Sequence, residues 1–225
     1  PFLGQEEERA VVAVLRSRWL TRGQRTAEFE SMFAEFAGAR YAVALNSCTA
    51  AMHLALLASD VGPGDEVITT PFTFAATANT VIHVGATPIF VDIDPETMNI
   101  NPGLIQKALN GCTKALMPVH FGGRPCDMEA IGGLAAEHGL VVIEDAAHAL
   151  GARYRDRMVG SISPLTAFSF YATKNITTGE GGMLTTDDPE LERRARMLSL
   201  HGMSADAWNR YGRGGHRYYE VMEPG

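Results

Sequence analysis

The chain has 225 residues, 46% of them hydrophobic, and a formal net charge of −7. That acidity, with a pI near 5.5, argues against a nucleic-acid surface, and no apolar run is long enough to span a membrane. Cys48, Cys112 and Cys126 are odd in number and widely spaced, so they read as free thiols of a reducing cytoplasm rather than disulfide or zinc partners.

The first residues, Phe2-Leu3-Gly4 and Gln5-Glu6-Glu7-Glu8, lack the basic and apolar regions of a signal peptide. Residues 5–18 place Val11, Val12, Val14 and Leu15 on one side of a helix. A second helix is expected after Thr26, whose hydroxyl can cap it, burying Phe29, Met32, Phe33 and Phe36 and ending at Gly38. From Tyr41 the pattern alternates. Short apolar runs predict strands at Tyr41–Leu45, Glu66–Thr70, Pro88–Val91, Ala115–Val119, Leu140–Glu144, Thr166–Phe170 and Gly182–Thr185. Helical patterns lie near 49–58, 73–84, 102–109 and 127–138, and a last one at 189–200. Strands separated by helices predict an α/β fold, a mostly parallel sheet of about seven strands with helices on both faces. The organisation expected is an N-terminal helical segment (1–37), a large domain (38–200) and an irregular C-terminal segment (201–225). In such sheets ligands collect beyond the carboxyl ends of the strands.

The residues that follow strands therefore carry the argument. Only three lysines occur beside sixteen arginines. One of them, Lys174, sits in Phe168-Ser169-Phe170-Tyr171-Ala172-Thr173-Lys174-Asn175, ahead of a loop of Thr177, Thr178, Gly179, Gly181 and Gly182. An amine can form a Schiff base with an aldehyde, which a guanidinium cannot do. Upstream, Val141-Val142-Ile143-Glu144 places Asp145 at the end of a central strand. An ionised carboxylate there can face a protonated ring nitrogen, and the pairing of a Schiff-base lysine with such an acid points to pyridoxal phosphate. A lone Asp is more often a helix cap and a lone Lys more often a surface cation; their pairing tips the balance. Ser47, Cys48 and Thr49 lie between a strand and a helix start, where free amides suit a phosphate, although plain N-capping explains that segment as well. Ser169 can add a hydroxyl. Phe74 can stack on a planar ring, although taken alone such a residue is more often core. His148, three residues past Asp145, either touches the cofactor or caps the local turn, and His53 reads as packed core. No Walker A or GxGxxG sequence is present.

These segments together resemble the DegT/DnrJ/StrS family of pyridoxal-phosphate-dependent sugar aminotransferases, from about Arg18 to Gly225. The specific part is Glu144-Asp145-Ala146-Ala147-His148 with Phe168-Ser169-Phe170, Lys174-Asn175 and Thr178-Gly179-Glu180-Gly181-Gly182; Trp19-Leu20-Thr21, Pro88–Asp92 and Pro118-Val119-His120 match too. The resemblance implies a three-layer αβα large domain of the aspartate aminotransferase type (fold type I). It implies Lys174 as the covalent cofactor anchor, Asp145 on the pyridine nitrogen and His148 near the ring hydroxyl. Phe74 would stack on the ring, and Cys48, Thr49 and Ser169 would hold the phosphate. It further implies amino transfer to a keto sugar on a nucleoside diphosphate, at C4 by the Trp19-Leu20-Thr21 motif, with glutamate as donor and 2-oxoglutarate as product. The expected state is a cytoplasmic homodimer with no metal. Relatives with histidine in place of the lysine deoxygenate instead. Family chains normally continue into a small C-terminal domain, which is missing here. Two other readings are an aromatising dehydratase of the aminohydroxybenzoate synthase type and a non-catalytic scaffold.

Overall fold

The computed structural model describes residues 1–203 and 221–222. Two helices come first, α1 (Gln5–Ser17) and α2 (Gln24–Ala37). Strand and helix then alternate through β1 (Tyr41–Leu45), α3 (Cys48–Ala58), β2 (Glu66–Thr69), α4 (Ala75–His83) and β3 (Thr87–Phe90). They continue through α5 (Pro102–Ala108), β4 (Thr113–Leu116), α6 (Met128–His138) and β5 (Val141–Asp145). A small hairpin, β6 (Arg153–Tyr154) and β7 (Arg157–Met158), precedes β8 (Leu165–Ser169), β9 (Gly182–Thr186) and α7 (Pro189–Leu198).

Seven strands make one sheet in the order β1-β9-β8-β5-β4-β2-β3. Strand β9 runs antiparallel to both of its neighbours and the remaining pairs are parallel. Successive side chains point to opposite faces of the sheet, and this divides the core. On one face Ile143, Leu165, Ala167 and Leu184 pack under α3 with Ala51, Ala55 and Leu56. On the other, Phe168 and Met183 meet Phe33 of α2, and Leu116 and Val142 meet Ile131 of α6. Helix α3 is rich in alanine and apolar over most of its surface, as suits a helix buried on several sides. No described helix is long and apolar enough to cross a membrane.

The termini of the helices follow from local chemistry. Asp127 accepts from the Ala130 amide and caps α6, and Asp188 accepts from Glu190 and Leu191 at the start of α7. Gly38 and Gly139 close α2 and α6 at φ of 69° and 65°, where a side chain is strained.

Several sequence expectations are corrected. Helix α2 starts at Gln24 with Gly23 as its cap, so the Thr26 hydroxyl lies inside the first turn rather than before it. Phe29 and Phe33 pack against Phe170 and Phe168; Phe36 continues their face and meets Phe33 at 6.3 Å but stays exposed near the helix end, and Met32, at the edge of that face, is exposed too. Helix α1 buries no residue; Val11, Val12 and Leu15 face outward. His53 is half-buried and meets His83 edge to face at 6.2 Å instead of packing in the core. Strands β4, β5 and β8 are offset by one to three residues from their predicted ends, and the β6–β7 hairpin was not signalled by any apolar run. Most of the 201–225 segment falls outside the described residues.

Candidate active site

Asp145 ends β5 on the α3 face of the sheet, since it shares a face with its register partner Ala167. Its backbone is tied on one side to Pro118 and His120 beyond β4, while the next amide, Ala146, bonds Ala167 of β8. The carboxylate is 4% exposed. Oδ2 accepts from the Thr77 hydroxyl at 2.8 Å and Oδ1 from the Ala147 amide at 3.1 Å. Thr77 has one proton and gives it to Asp145, so at its 2.7 Å contact with Thr73 it is Thr73 that donates. A hydroxyl chain from Thr73 through Thr77 thus ends on the acid and holds it as an acceptor.

Lys174 lies in the loop that leaves β8, on a turn where its amide bonds the Tyr171 carbonyl at 2.9 Å. Among the described residues its amine forms no ion pair or hydrogen bond. Its charge bears on its surroundings. Burial first, and then the Lys174 ammonium, hold His148 below the ordinary histidine range, against the pull of Asp145. Burial and then Asp145 push the Cys48 thiol well up, so it stays a neutral thiol.

Helix α3 begins at the same place. Ser47 is the cap: its hydroxyl accepts from the Ala50 amide, leaving the first-turn amides of Cys48 and Thr49 without intrahelical acceptors. This corner exists because residue 182 is glycine. A Cβ there would stand 2.3 Å from the Ser47 carbonyl and 2.5 Å from the Cys48 amide. Gly182 therefore admits backbone to backbone.

One cavity of about 630 Å³ collects these groups. Cys48, Thr49, Phe74, Asp145, His148, Ser169 and Lys174 all line it, together with Glu180. Every site residue singled out in the sequence therefore reaches a common space of the size that small cofactors fill. Phe74 precedes α4 and is 81% exposed, a ring projecting into the cavity rather than a core residue. The sequence reading missed Thr73, Thr77, Phe72 and Phe121. The last two rings lie 4.4 Å apart and form one wall, continued by His148 at 6.3 Å from Phe121. The four-residue spacing of Thr73 and Thr77 was the available signal, and it means little until Asp145 is known to lie beside them.

A model of the DegT/DnrJ/EryC1/StrS aminotransferase family matches residues 1–218. The chain belongs to that family. It is 60% identical over all 225 residues to the spore coat polysaccharide biosynthesis protein SpsC of Bacillus subtilis, and spans 58% of that protein. Among solved structures it is similar to an aminotransferase from Psychrobacter cryohalolentis, with 45% identity and a TM-score of 0.89, over 96% of this chain and 55% of that one. It is also similar to the putative sugar aminotransferase Spr1654 of Streptococcus pneumoniae in its PLP-form, with 34% identity and a TM-score of 0.90, covering 100% of this chain and 60% of that one. The chain thus spans a little over half the length of these family members, and the sheet described above is their αβα large-domain fold.

The residues present fit pyridoxal phosphate. Asp145 is a buried carboxylate with one protein donor on each oxygen and no ion-pair partner among the described residues, a setting that a cationic ring nitrogen completes. The α3 amides and the Ser169 hydroxyl suit a phosphate, and Lys174 supplies an amine to the same cavity.

Proposed function

We propose that this chain is the cofactor-binding part, centred on residues 38–200, of a sugar aminotransferase that uses pyridoxal phosphate. The convergence of Asp145, Lys174 and the start of α3 on one cavity carries the reading. Asp145 would hold the ring nitrogen protonated, with Thr77 keeping its carboxylate an acceptor. The Cys48 and Thr49 amides and the Ser169 hydroxyl would bind the phosphate, Phe74 would cover the ring, and His148 would stand near the ring hydroxyl. Bound there, the cofactor supplies an electron sink and an aldehyde for amine exchange. Lys174 would anchor it through its amine and, once freed by an amino donor, would be the base that takes the proton from the donor α-carbon. The same amine would return a proton when the keto sugar is the acceptor.

The finer reading is a 4-keto sugar linked to a nucleoside diphosphate, glutamate as donor, and a cytoplasmic homodimer. SpsC, named for a polysaccharide pathway, and the putative sugar aminotransferase Spr1654 support the sugar class. The test is borohydride reduction of the protein incubated with pyridoxal phosphate, followed by peptide mapping. A pyridoxyl adduct confined to Lys174 and absent from Lys174→Ala, with loss of turnover in that variant, is the expected result. An adduct elsewhere, or turnover surviving in Lys174→Ala, would refute the assignment. Loss of water from an aminodehydroquinate-type substrate without amino exchange would favour the aromatising reaction.

A further inference from the structure

Next to Asp145, Glu144 points to the opposite face of the sheet and is fully buried. It has no lysine or arginine within ion-pair distance among the described residues, yet neither carboxylate oxygen is idle. Oε1 accepts from the Ser163 amide and the Thr166 hydroxyl, each at 3.0 Å. Oε2 meets His120 Nε2 at 2.6 Å. Burial opposes a charge on His120 while Cys126 and Glu144 favour one, and their net pull is upward. The Cys126 amide decides between them: it already donates to Nδ1 at 3.1 Å, so that nitrogen must be an acceptor. The proton order is therefore fixed, from Cys126 N–H to Nδ1 and from Nε2–H to Glu144.

This network spans three neighbouring strands. His120 follows β4, Glu144 is on β5 and Thr166 is its register partner on β8. The same His120 gives its own amide to the Asp145 carbonyl at 3.1 Å. Apolar residues of equal volume commonly stabilise such a position at least as well, so stability is a poor reason for a buried carboxylate here. We propose that Glu144 and His120 are a positioning pair that sets the angle at which Asp145 meets the cofactor ring nitrogen, an inference resting on the function proposed above.

The test uses the full protein carrying this chain. Glu144→Gln places an NH₂ against either the Ser163 amide or His120 Nε2–H, both donors, and His120 cannot reverse its tautomer to receive it. The expected result is a fall in kcat/KM on the order of a hundredfold, the cost of a small misplacement at the chemistry, carried by kcat. A shifted pH titration of the bound cofactor's absorbance should accompany it. Thr166→Val, which removes one donor and keeps the shape, should shift the titration partway in the same direction. Ile105→Ala, a core truncation under α5, should lower Tm but leave the titration alone. In cofactor-free protein the Nε2 proton should give a downfield resonance that Glu144→Gln abolishes. A wild-type titration and kcat in Glu144→Gln and Thr166→Val, whatever their Tm, would overturn the pair's role. Failure of the wild type to take up pyridoxal phosphate would show in every variant alike and overturn the proposed function with it.

Discussion

At the scale of single residues, Asp145 is defined by its donors. Hydrogen bonds to a charged group contribute about 1.5–3 kcal/mol, so the Thr77 hydroxyl weighs heavily on how the carboxylate is held. Thr77→Val retains the shape and removes the donor to Oδ2. It should reduce turnover by about tenfold to a hundredfold, the equivalent of that bond. Thr77→Ser keeps the hydroxyl and should recover most of the loss. Equal activity in Val and Ser variants, measured as kcat across pH, would show that the contact is passive. In the sequence only its four-residue spacing from Thr73 marked Thr77, because its importance lies in what α4 packs against. Asp145 and Lys174 were readable from their motifs and from the scarcity of lysine.

At the scale of elements, the decisive contact is between the start of α3 and strand β9. These are more than 130 residues apart in the chain, yet Gly182 lets the Ser47–Cys48 backbone lie directly against it. Gly182→Ala forces a Cβ into backbone atoms that cannot step aside as a flexible side chain would. Overpacking of this kind costs about 1–3 kcal/mol, and here it also displaces the free amides of Cys48 and Thr49. A lowered Tm together with weaker pyridoxal phosphate binding in an equilibrium titration is expected. A lower Tm with unchanged affinity would mean that the helix start does not hold the phosphate. The helices themselves were largely readable, because apolar spacing and caps such as Asp127 and Asp188 are local. Helix α2 departs from its expected start since a glycine cap needs no side-chain signal, and Phe36 departs from burial since it sits one residue from the end of the helix, on the face of Phe29 and Phe33 but at its edge.

At the scale of the whole molecule, the strand order puts β5 beside β8, which is why the acid at the end of one and the lysine past the end of the other share a cavity. The same packing sorts the three cysteines. Cys112 is exposed while Cys48 and Cys126 are buried, and burial keeps the Cys48 thiol protonated at neutral pH. Iodoacetamide at pH 7.5 should label Cys112 in the folded protein and spare the other two; labelling of Cys48 at a similar rate would contradict the packing of α3. By itself the sequence determined the αβ alternation, the near count of seven strands, the family, and the lysine, acid and helix start that converge in the cavity. All of these rest on local periodicity or on residues adjacent in the chain. Only the tertiary structure decided that Thr73 and Thr77 feed Asp145, that Gly182 serves backbone contact, and that Glu144 and His120 brace the sheet from behind. Each of those depends on partners brought together across long stretches of chain, and spacing along a single strand or helix carries no record of them.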